Sequence, residues 1–281
     1  MAPCRFGGRC ACARHQSRRE GVRFPLKSAE VAIQVVTGGR RYIRGMPEHL
    51  VGGYRSGARR EGNEVHRGPT SPYAVQLLRF LTLHQWPYSP ALISSSSQAS
   101  VLEFIDGTAA VTPAQRAAAG ADSALAATAR MVRELHDLTA GTYLSRGGEV
   151  ACHHDLDPRN TIYRRDGDVL FPVALIDWDS AGPGRRVHDL AHLCWTYTGI
   201  NPTAVPELIW HRIRVCLEAY EWTGTDREVV RAMLWWQDRC HRGIRAEAEA
   251  GDPAMRALVA NGVMDAVRSD YDWTVHNLSH G

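Results

Sequence analysis

Two short segments carry the side chains in this sequence that could do chemistry. The first contains the pattern H-x-D-x-x-x-x-N, at His153, Asp155 and Asn160. The second is an apolar run that ends at Asp177. Transfer of a phosphoryl group from ATP needs a carboxylate that orients and deprotonates the attacking hydroxyl, and it needs oxygen ligands for Mg²⁺. Asp155 could serve as the base, and Asn160 and Asp177 could bind the metal.

The chain between the two segments predicts a hairpin that brings these groups together. Two apolar runs, 160–163 and 169–176, flank an Asp-Gly pair, which is a strong hairpin signal. The hairpin returns the chain so that Asp177 lies beside the loop that holds Asp155. In a plainer interpretation, the acidic and amide side chains of this loop only cap turns.

These segments resemble the catalytic loop and the metal-binding loop of the aminoglycoside phosphotransferase and choline kinase family, which shares the protein-kinase fold. In that family the first loop commonly reads H-G-D-x-x-x-x-N, and the metal strand ends I-D-[FW]-[DEG]. The resemblance implies that Asp155 is the catalytic base, that Asn160 and Asp177 bind Mg²⁺, and that His153 is a structural residue of the loop. Asp179 is a further candidate, either for the metal or for holding the loop.

The segment after the metal loop bears on the substrate. Asp189 opens an Asp-Leu-Ala element that resembles one in the family, where the Asp braces the catalytic loop, and a role as a helix cap is compatible with this. Asp177 and Asp189 are twelve positions apart. A protein kinase needs a much longer activation segment there to bind a peptide. The expected substrate is therefore a small molecule with a hydroxyl group.

The N-terminal part matches the family less well. A strand, a Gly-rich turn and a second strand over residues 50–67 could cover the phosphates, with Gly52 and Gly53 allowing close backbone approach. A plain hairpin explains the same pattern. The family's phosphate-binding lysine is absent, and Arg67, or else His66, stands where it is expected. Arginine also grips phosphate, but with a different geometry.

Two other positions bear on the nucleotide. The helix predicted from Pro72 to Trp86 contains no acid, so the glutamate that partners the family's lysine is missing too. Residues 102–105 lie where the family's inter-lobe linker meets adenine, which makes Glu103 and Phe104 the expected adenine contacts. The resemblance implies ATP as the phosphoryl donor, with GTP as an open alternative.

The order of predicted elements indicates an α+β, protein-kinase-like fold with two lobes. A basic, poorly structured extension is expected over residues 1–45, a reduced β-rich N-lobe with the inter-lobe linker over 46–107, and a mainly helical C-lobe over 108–281. Apolar periodicity and capping residues predict the helices of this C-lobe over residues 113–137, 189–197, 206–222, 226–243 and 253–277.

Charge and cysteine content narrow the class of protein. The net charge is +3, but residues 1–45 hold ten basic and two acidic side chains, so the rest of the chain is acidic on balance. No aromatic or helical pattern in this basic extension supports binding to nucleic acid. No apolar run is long enough to cross a membrane. The seven cysteines show no disulfide framework, which favours a reduced, cytoplasmic protein.

The C-terminal helices carry no readable motif for the acceptor. Glu247, Glu249 and Asp252 could attract a cationic amine, or they could form a solvated helix end. Tryptophans on these helices, including Trp195 and Trp236, are interpreted as core residues.

The sequence therefore predicts an ATP- and Mg²⁺-dependent phosphotransferase that acts on a hydroxyl of a small molecule. The alternative is a catalytically impaired, kinase-like protein that binds a nucleotide or a small molecule. The missing lysine and glutamate favour this alternative, whereas the complete catalytic loop favours the enzyme. The oligomeric state stays open.

Overall fold

A five-stranded antiparallel sheet forms the N-terminal lobe. The computed structural model describes residues 48–50, 58–167 and 169–279. The predicted extension over residues 1–45, together with Gly52 and Gly53, lies outside the described residues. The sheet has the spatial order β1-β2-β3-β5-β4, with the strands β1 (Glu48–His49), β2 (Arg59–Glu61), β3 (Glu64–Arg67), β4 (Leu92–Ser95) and β5 (Ser100–Glu103).

Helix α1 (Pro72–Leu83) contacts this sheet at β4. The helix begins with a proline, and the Ser71 hydroxyl caps it by accepting a hydrogen bond from the N–H of Ala74. Leu83 is the last residue of the helix and is 78% exposed. The sequence of α1 contains no Asp or Glu. The buried face consists of Ala74, Leu77, Leu78 and Leu81.

Two small sheets carry the loops of the chemical segments. One has the order β6-β8-β9, with β6 (Thr108–Ala109), β8 (Thr161–Asp166) and β9 (Val169–Leu175). β8 and β9 pair antiparallel, as the Asp-Gly signal predicted. The other sheet pairs β7 (Val150–Cys152) with β10 (Gly182–Gly184). The catalytic loop leaves β7 and enters β8, and the metal loop leaves β9.

Helices make up most of the C-terminal lobe. They are α2 (Pro113–Ala119), α3 (Asp122–Thr139), α4 (Arg186–Tyr197), α5 (Pro206–Tyr220), α6 (Asp226–Glu249), α7 (Pro253–Ala260) and α8 (Val263–Leu278). α3 packs against α5, and α6 packs against both α4 and α8. Of the residues that the structure describes, none belongs to a helix long and apolar enough to cross a membrane.

Two of the predicted helices are each divided, so those two predictions were wrong. The helix expected over 113–137 breaks at Gly120, which lies so close to the chain that an added Cβ would be 3.1 Å from the carbonyl oxygen of Tyr197. The helix expected over 253–277 breaks at Gly262, which has a φ of 73°. Left-handed backbone of this kind ends a helix, and glycine adopts it without steric cost.

Trp178 joins the metal loop to the core. Its ring is buried against the rings of His153 (centroids 4.5 Å apart) and Trp86 (6.1 Å). The indole N–H donates to the carbonyl of Leu175 at 2.9 Å, so the buried polar atom is satisfied. The predicted two-lobe α+β class is confirmed by this architecture and by the solved structures compared below. The predicted domain boundaries stay a prediction.

Candidate active site

The carboxylate of Asp189 fixes the backbone of the catalytic loop. Asp189 lies in the first turn of α4 and is fully buried. Its oxygens accept hydrogen bonds from the backbone N–H groups of His153 (2.7 Å) and His154 (2.8 Å). His136 on α3 contacts the same carboxylate through Nε2 at 3.1 Å, and its Nδ1 lies 2.6 Å from the Tyr220 hydroxyl. Asp189 thus braces the loop from the side opposite the solvent.

The Asp189 network holds an ionised acid in the protein interior. Burial would raise the pKa of the Asp189 carboxyl, but the hydrogen bond and charge of His136 hold it well below its ordinary value. Burial lowers the pKa of His153 and of His154 to about 4, so both rings are neutral at pH 7.

His153 links the catalytic loop to the metal strand. Its Nε2 donates to the carbonyl of Ile176 at 3.0 Å. Because the ring is neutral, its Nδ1 can accept, and the N–H of Asp155 lies 3.3 Å from it. The structural role that the resemblance implied for His153 therefore has a physical basis: one ring fixes the distance between the two loops.

Asp155 and Asn160 lie against each other. The Asn160 amide donates to the backbone carbonyl of Asp155 at 2.9 Å and to its Oδ2 at 3.0 Å. Burial and the charge of Asp157 raise the pKa of the Asp155 carboxyl to about 7, against the opposing charge of Arg159 and the hydrogen bond from Asn160. Asn160 thus orients the carboxylate and favours its charged form.

Asp177 lies two residues beyond the end of strand β9 in a left-handed conformation, with φ 62° and ψ 64°. Non-glycine residues adopt this backbone at a cost of about 1 kcal/mol or more, and such strain gathers at functional positions. The preceding residue, Ile176, donates its N–H to the carbonyl of Asn160 at 2.9 Å. The two predicted metal ligands are therefore joined through the backbone next to them.

The donor atoms of this site fit Mg²⁺. The Oδ1 atom of Asn160 is buried, and within residues 58–167 and 169–279 it accepts no hydrogen bond. A buried acceptor of this kind needs a partner, and Mg²⁺ prefers carbonyl and carboxylate oxygens. Asp177 is also buried and supplies a carboxylate. The residues present can therefore hold the ion that the resemblance implied.

Arg67 connects the N-terminal lobe to this site. It lies at the end of β3 and is buried. Its guanidinium forms an ion pair with Asp179, and its Nη1 lies 3.5 Å from Oδ1 of Asp177. The three side chains are almost fully removed from solvent. The basic residue expected to bind phosphate therefore reaches the metal loop, and Asp179 is its carboxylate partner.

Asp157 in the same loop is neutralised by arginines. Arg116 reaches Oδ1 of Asp157 at 3.0 Å, and Arg159 reaches the same oxygen at 2.9 Å. Burial would raise the pKa of Asp157, but the two guanidinium groups lower it to about 2. Asp157 also caps the short helical turn that starts at Pro158. The turn-capping interpretation therefore holds for Asp157.

A cavity of about 610 Å³ opens beside Asp155 in the C-terminal lobe. It runs between α4, α6, α7 and α8, and its size is that of a small-molecule site. Trp195 and Trp236 belong to the buried hydrophobic core, as expected, and they also line this cavity. Glu247, Glu249 and Asp252 do not belong to its lining, and Asp252 caps α7.

The expected adenine contacts lie at the end of β5. The N–H of Glu103 donates to the carbonyl of Ala91 at 2.9 Å, and the N–H of Phe104 donates to the carbonyl of Asn63 at 2.8 Å. The guanidinium of Arg60 stacks 3.6 Å above the Phe104 ring. Both backbone donors are thus engaged within the protein, which leaves their role toward adenine a prediction.

Sequence reasoning missed the part of the cavity that α8 lines. Asp270 on α8 lines it and accepts a hydrogen bond from the Trp195 indole at 2.9 Å. A single acid on a long helix gives no local signal, because its place opposite Trp195 depends on how α8 packs on α4 and α6. The pairing of Arg67 with Asp179 was also missed, because the two residues are far apart in the sequence and meet only in the folded chain.

A comparison with family models identifies the chain's relatives. The model described as "Phosphotransferase enzyme family" matches residues 81–223, which is about half of the chain. The chain belongs to this phosphotransferase family. The matched region contains the catalytic loop, the hairpin, the metal loop and Asp189. Arg67 and the parts of the cavity lined by α6, α7 and α8 lie outside it.

Other phosphotransferases share the fold. The ADP-bound aminoglycoside phosphotransferase APH(2'')-Ib has 14% identity and a TM-score of 0.53 over 83% of this chain and 95% of that chain. A choline/ethanolamine kinase family protein from Mesorhizobium loti has 15% identity and a TM-score of 0.52 over 84% of this chain and 93% of that chain.

The sequence is also similar to a curated protein. The trifolitoxin immunity protein of Rhizobium leguminosarum bv. trifolii is 29% identical over 198 residues, which cover 61% of this chain and 72% of that protein.

The brace is testable by removing its carboxylate. Asp189→Ala should lower the free energy of unfolding by about 3–5 kcal/mol, because it leaves buried donors without an acceptor. Asp137→Ala is the matched control, since Asp137 forms exposed ion pairs with Arg133 and Arg186. Its loss should stay under about 1 kcal/mol. Denaturant unfolding measures both, and equal losses would contradict the role of Asp189.

The buried histidines predict a loss of stability in acid. Their folded pKa of about 4 lies below the ordinary value of 6.5, so the unfolded chain binds protons first as the pH falls. The contribution of each histidine to the free energy of unfolding should therefore fall between about pH 6.5 and 4, by up to about 3 kcal/mol, whereas the raised pKa values of Asp155 and Asp270 act in the opposite direction over this range. His154→Asn should remove the share of one histidine, so the stability difference between the wild type and the variant should change across this range; asparagine tolerates the left-handed backbone at this position, where φ is 64°. An unchanged slope in denaturant titrations across this range would refute the assignment.

Proposed function

We propose that the protein transfers the terminal phosphoryl group of ATP to a hydroxyl of a small molecule, in a Mg²⁺-dependent reaction. The observation that carries this proposal is the convergence of Asp155, Asn160 and Asp177 beside a cavity of small-molecule size. Membership of the phosphotransferase family supports the reaction class. Solved structures of this fold hold ADP in one case and GDP in another, which supports a purine nucleotide as donor and keeps GTP as an alternative to ATP.

Asp155 is the proposed catalytic base. It lines the cavity, and the Asn160 amide holds its Oδ2, which leaves Oδ1 for the acceptor hydroxyl. Asp155 would orient this hydroxyl and take its proton as the oxygen attacks the phosphorus. Asn160 and Asp177 would hold Mg²⁺, which when bound neutralises charge on the phosphates.

Arg67 is the proposed phosphate-binding cation, with Asp179 in place of the missing helical glutamate. A guanidinium carries five N–H donors, so it can contact a carboxylate and a phosphate oxygen at once. α1 offers no acid, whereas Asp179 on the metal loop already contacts Arg67. The partner of the phosphate-binding cation would then come from the C-terminal lobe.

A second candidate function has its own observation. Arg67 already binds Asp179 and approaches Asp177, so it could hold the metal loop in a form that binds a ligand without turnover. The name of the trifolitoxin immunity protein fits a protein that modifies a toxic molecule and equally one that only binds it.

The cytoplasmic location stays a prediction. The free thiols of Cys152, Cys194, Cys216 and Cys240 are consistent with it.

Nucleotide binding gives the first test. Mg-ATP at a hundred times its dissociation constant should add about 2.7 kcal/mol to the free energy of unfolding. Asp177→Asn should abolish the Mg²⁺-dependent part of this gain, because it removes a charged metal ligand. Asp155→Asn should keep the gain but lose phosphoryl transfer, measured as acceptor-dependent ADP release. Absence of stabilisation by both Mg-ATP and Mg-GTP at millimolar concentration would defeat the proposed function.

The pairing of Arg67 with Asp179 is tested by a double-mutant cycle. Arg67→Gln and Asp179→Asn should each weaken Mg-ATP binding by about 10- to 100-fold, the worth of a hydrogen bond to a charged group. The double variant should bind no more weakly than the weaker single variant, because both changes remove one unit. Calorimetric titration supplies the affinities. Additive losses would mean that the two residues act independently.

A further inference from the structure

The cavity beside Asp155 has ends of different chemistry. The catalytic end is polar and includes Asp155, together with Asp157 and its partners Arg116 and Arg159. The far end lies between α6, α7 and α8 and is mostly apolar, with Ile200, Ile244, Met255, Leu258, Val263 and Val267 in its lining. An acceptor that fills the cavity must therefore present an apolar body to this far end.

Few charges are available to a ligand in this cavity. Asp157 is already neutralised by Arg116 and Arg159. One N–H group of Arg212 donates a hydrogen bond to the carbonyl of Thr198 at 2.8 Å. Among the lining residues of the described chain, Asp270 is the acid that stands apart from the catalytic loop.

Asp270 is built into the aromatic wall of the cavity. Its Oδ2 accepts the indole N–H of Trp195 at 2.9 Å, and burial raises its pKa to about 6. Trp236 forms another part of the wall, and its own indole N–H is taken by the carbonyl of His188 at 2.7 Å. A half-buried carboxylate at the edge of an indole attracts a cation through its charge, and a ring face elsewhere in the same cavity could add a cation–π contact.

Asp155 and Asp270 can be reached by one ligand. Both carboxylates line one cavity together with Cys240, and burial and their charges together raise the pKa of its thiol to about 12. A molecule that places a hydroxyl at Asp155 could extend past Cys240 to Asp270.

We propose that the acceptor is an amphipathic alcohol with an apolar body and one positively charged nitrogen, which Asp270 binds against the Trp195 indole. The proposal rests on the proposed function for the role of Asp155. A polycationic amino sugar does not fit this cavity, because its further charges would meet apolar side chains or arginines. The charge and the apolar body are separate requirements, and each can be measured.

Two isosteric probes isolate the charge. 6-(Dimethylamino)hexan-1-ol and 7-methyloctan-1-ol have the same shape, and the first carries a cation at neutral pH. The wild type should bind the amine about tenfold or more tightly than the alkane isostere, the scale of one charge-assisted contact. Asp270→Asn, which can still accept from Trp195, should erase this preference. Asp265→Asn changes an exposed acid on the same helix and should preserve it.

Kanamycin serves as the polycationic probe. It should bind more weakly than the amine, and Val267→Asp, which places a second acid at the far end, should narrow the gap. Equal binding of the isosteric pair to the wild type, including no binding of either, would overturn the inference, as would a preference that survives Asp270→Asn. Failure of the proposed function looks different: Mg-ATP would not stabilise the protein, whatever the probes do.

Discussion

A buried carboxylate is the constraint on which the rest of the site depends. Asp189 is removed from water, so its negative charge is tolerable only if hydrogen bonds replace its hydration. Two of those bonds come from consecutive N–H groups of the catalytic loop, and a third contact comes from His136 on α3. Because none of these donors can leave without stranding the charge, the loop backbone, α3 and α4 hold one arrangement.

The same network extends to the metal loop through His153. Its backbone N–H binds Asp189, and its ring donates to the carbonyl of Ile176. One residue thereby transmits the position of α4 to the end of β9. Arg67 then adds a second link, since it brings the N-terminal sheet to Asp177 and Asp179. The two lobes meet through charges at the proposed phosphate-binding residue, so the fit between the lobes and the electrostatics of the site are coupled.

The parts of this site that the sequence predicted are those encoded over short distances. The spacing of Asp155 and Asn160, the Asp-Gly hairpin and the bracing Asp189 follow from local turn and strand chemistry. Asp179 as the partner of Arg67 was not predicted, because 112 positions separate the two residues. The helix breaks at Gly120 and Gly262 were not predicted either. The apolar periodicity continues across both glycines, and a single glycine between residues of high helix propensity does not by itself indicate the end of a helix.

This division between local and long-range encoding has a consequence for specificity. The catalytic end is held by backbone hydrogen bonds, so it tolerates little change and keeps a readable pattern. The acceptor end is built from single side chains on four helices, each of which can be replaced without disturbing the loop. One substitution at Asp270 or Val267 would change the charge or the volume offered to a ligand, while the Asp189 network would stay intact. A fold of this kind therefore retains its chemistry while its substrate varies. Membership of the family accordingly indicates the reaction class, whereas the acceptor has to be inferred from the residues that line the cavity.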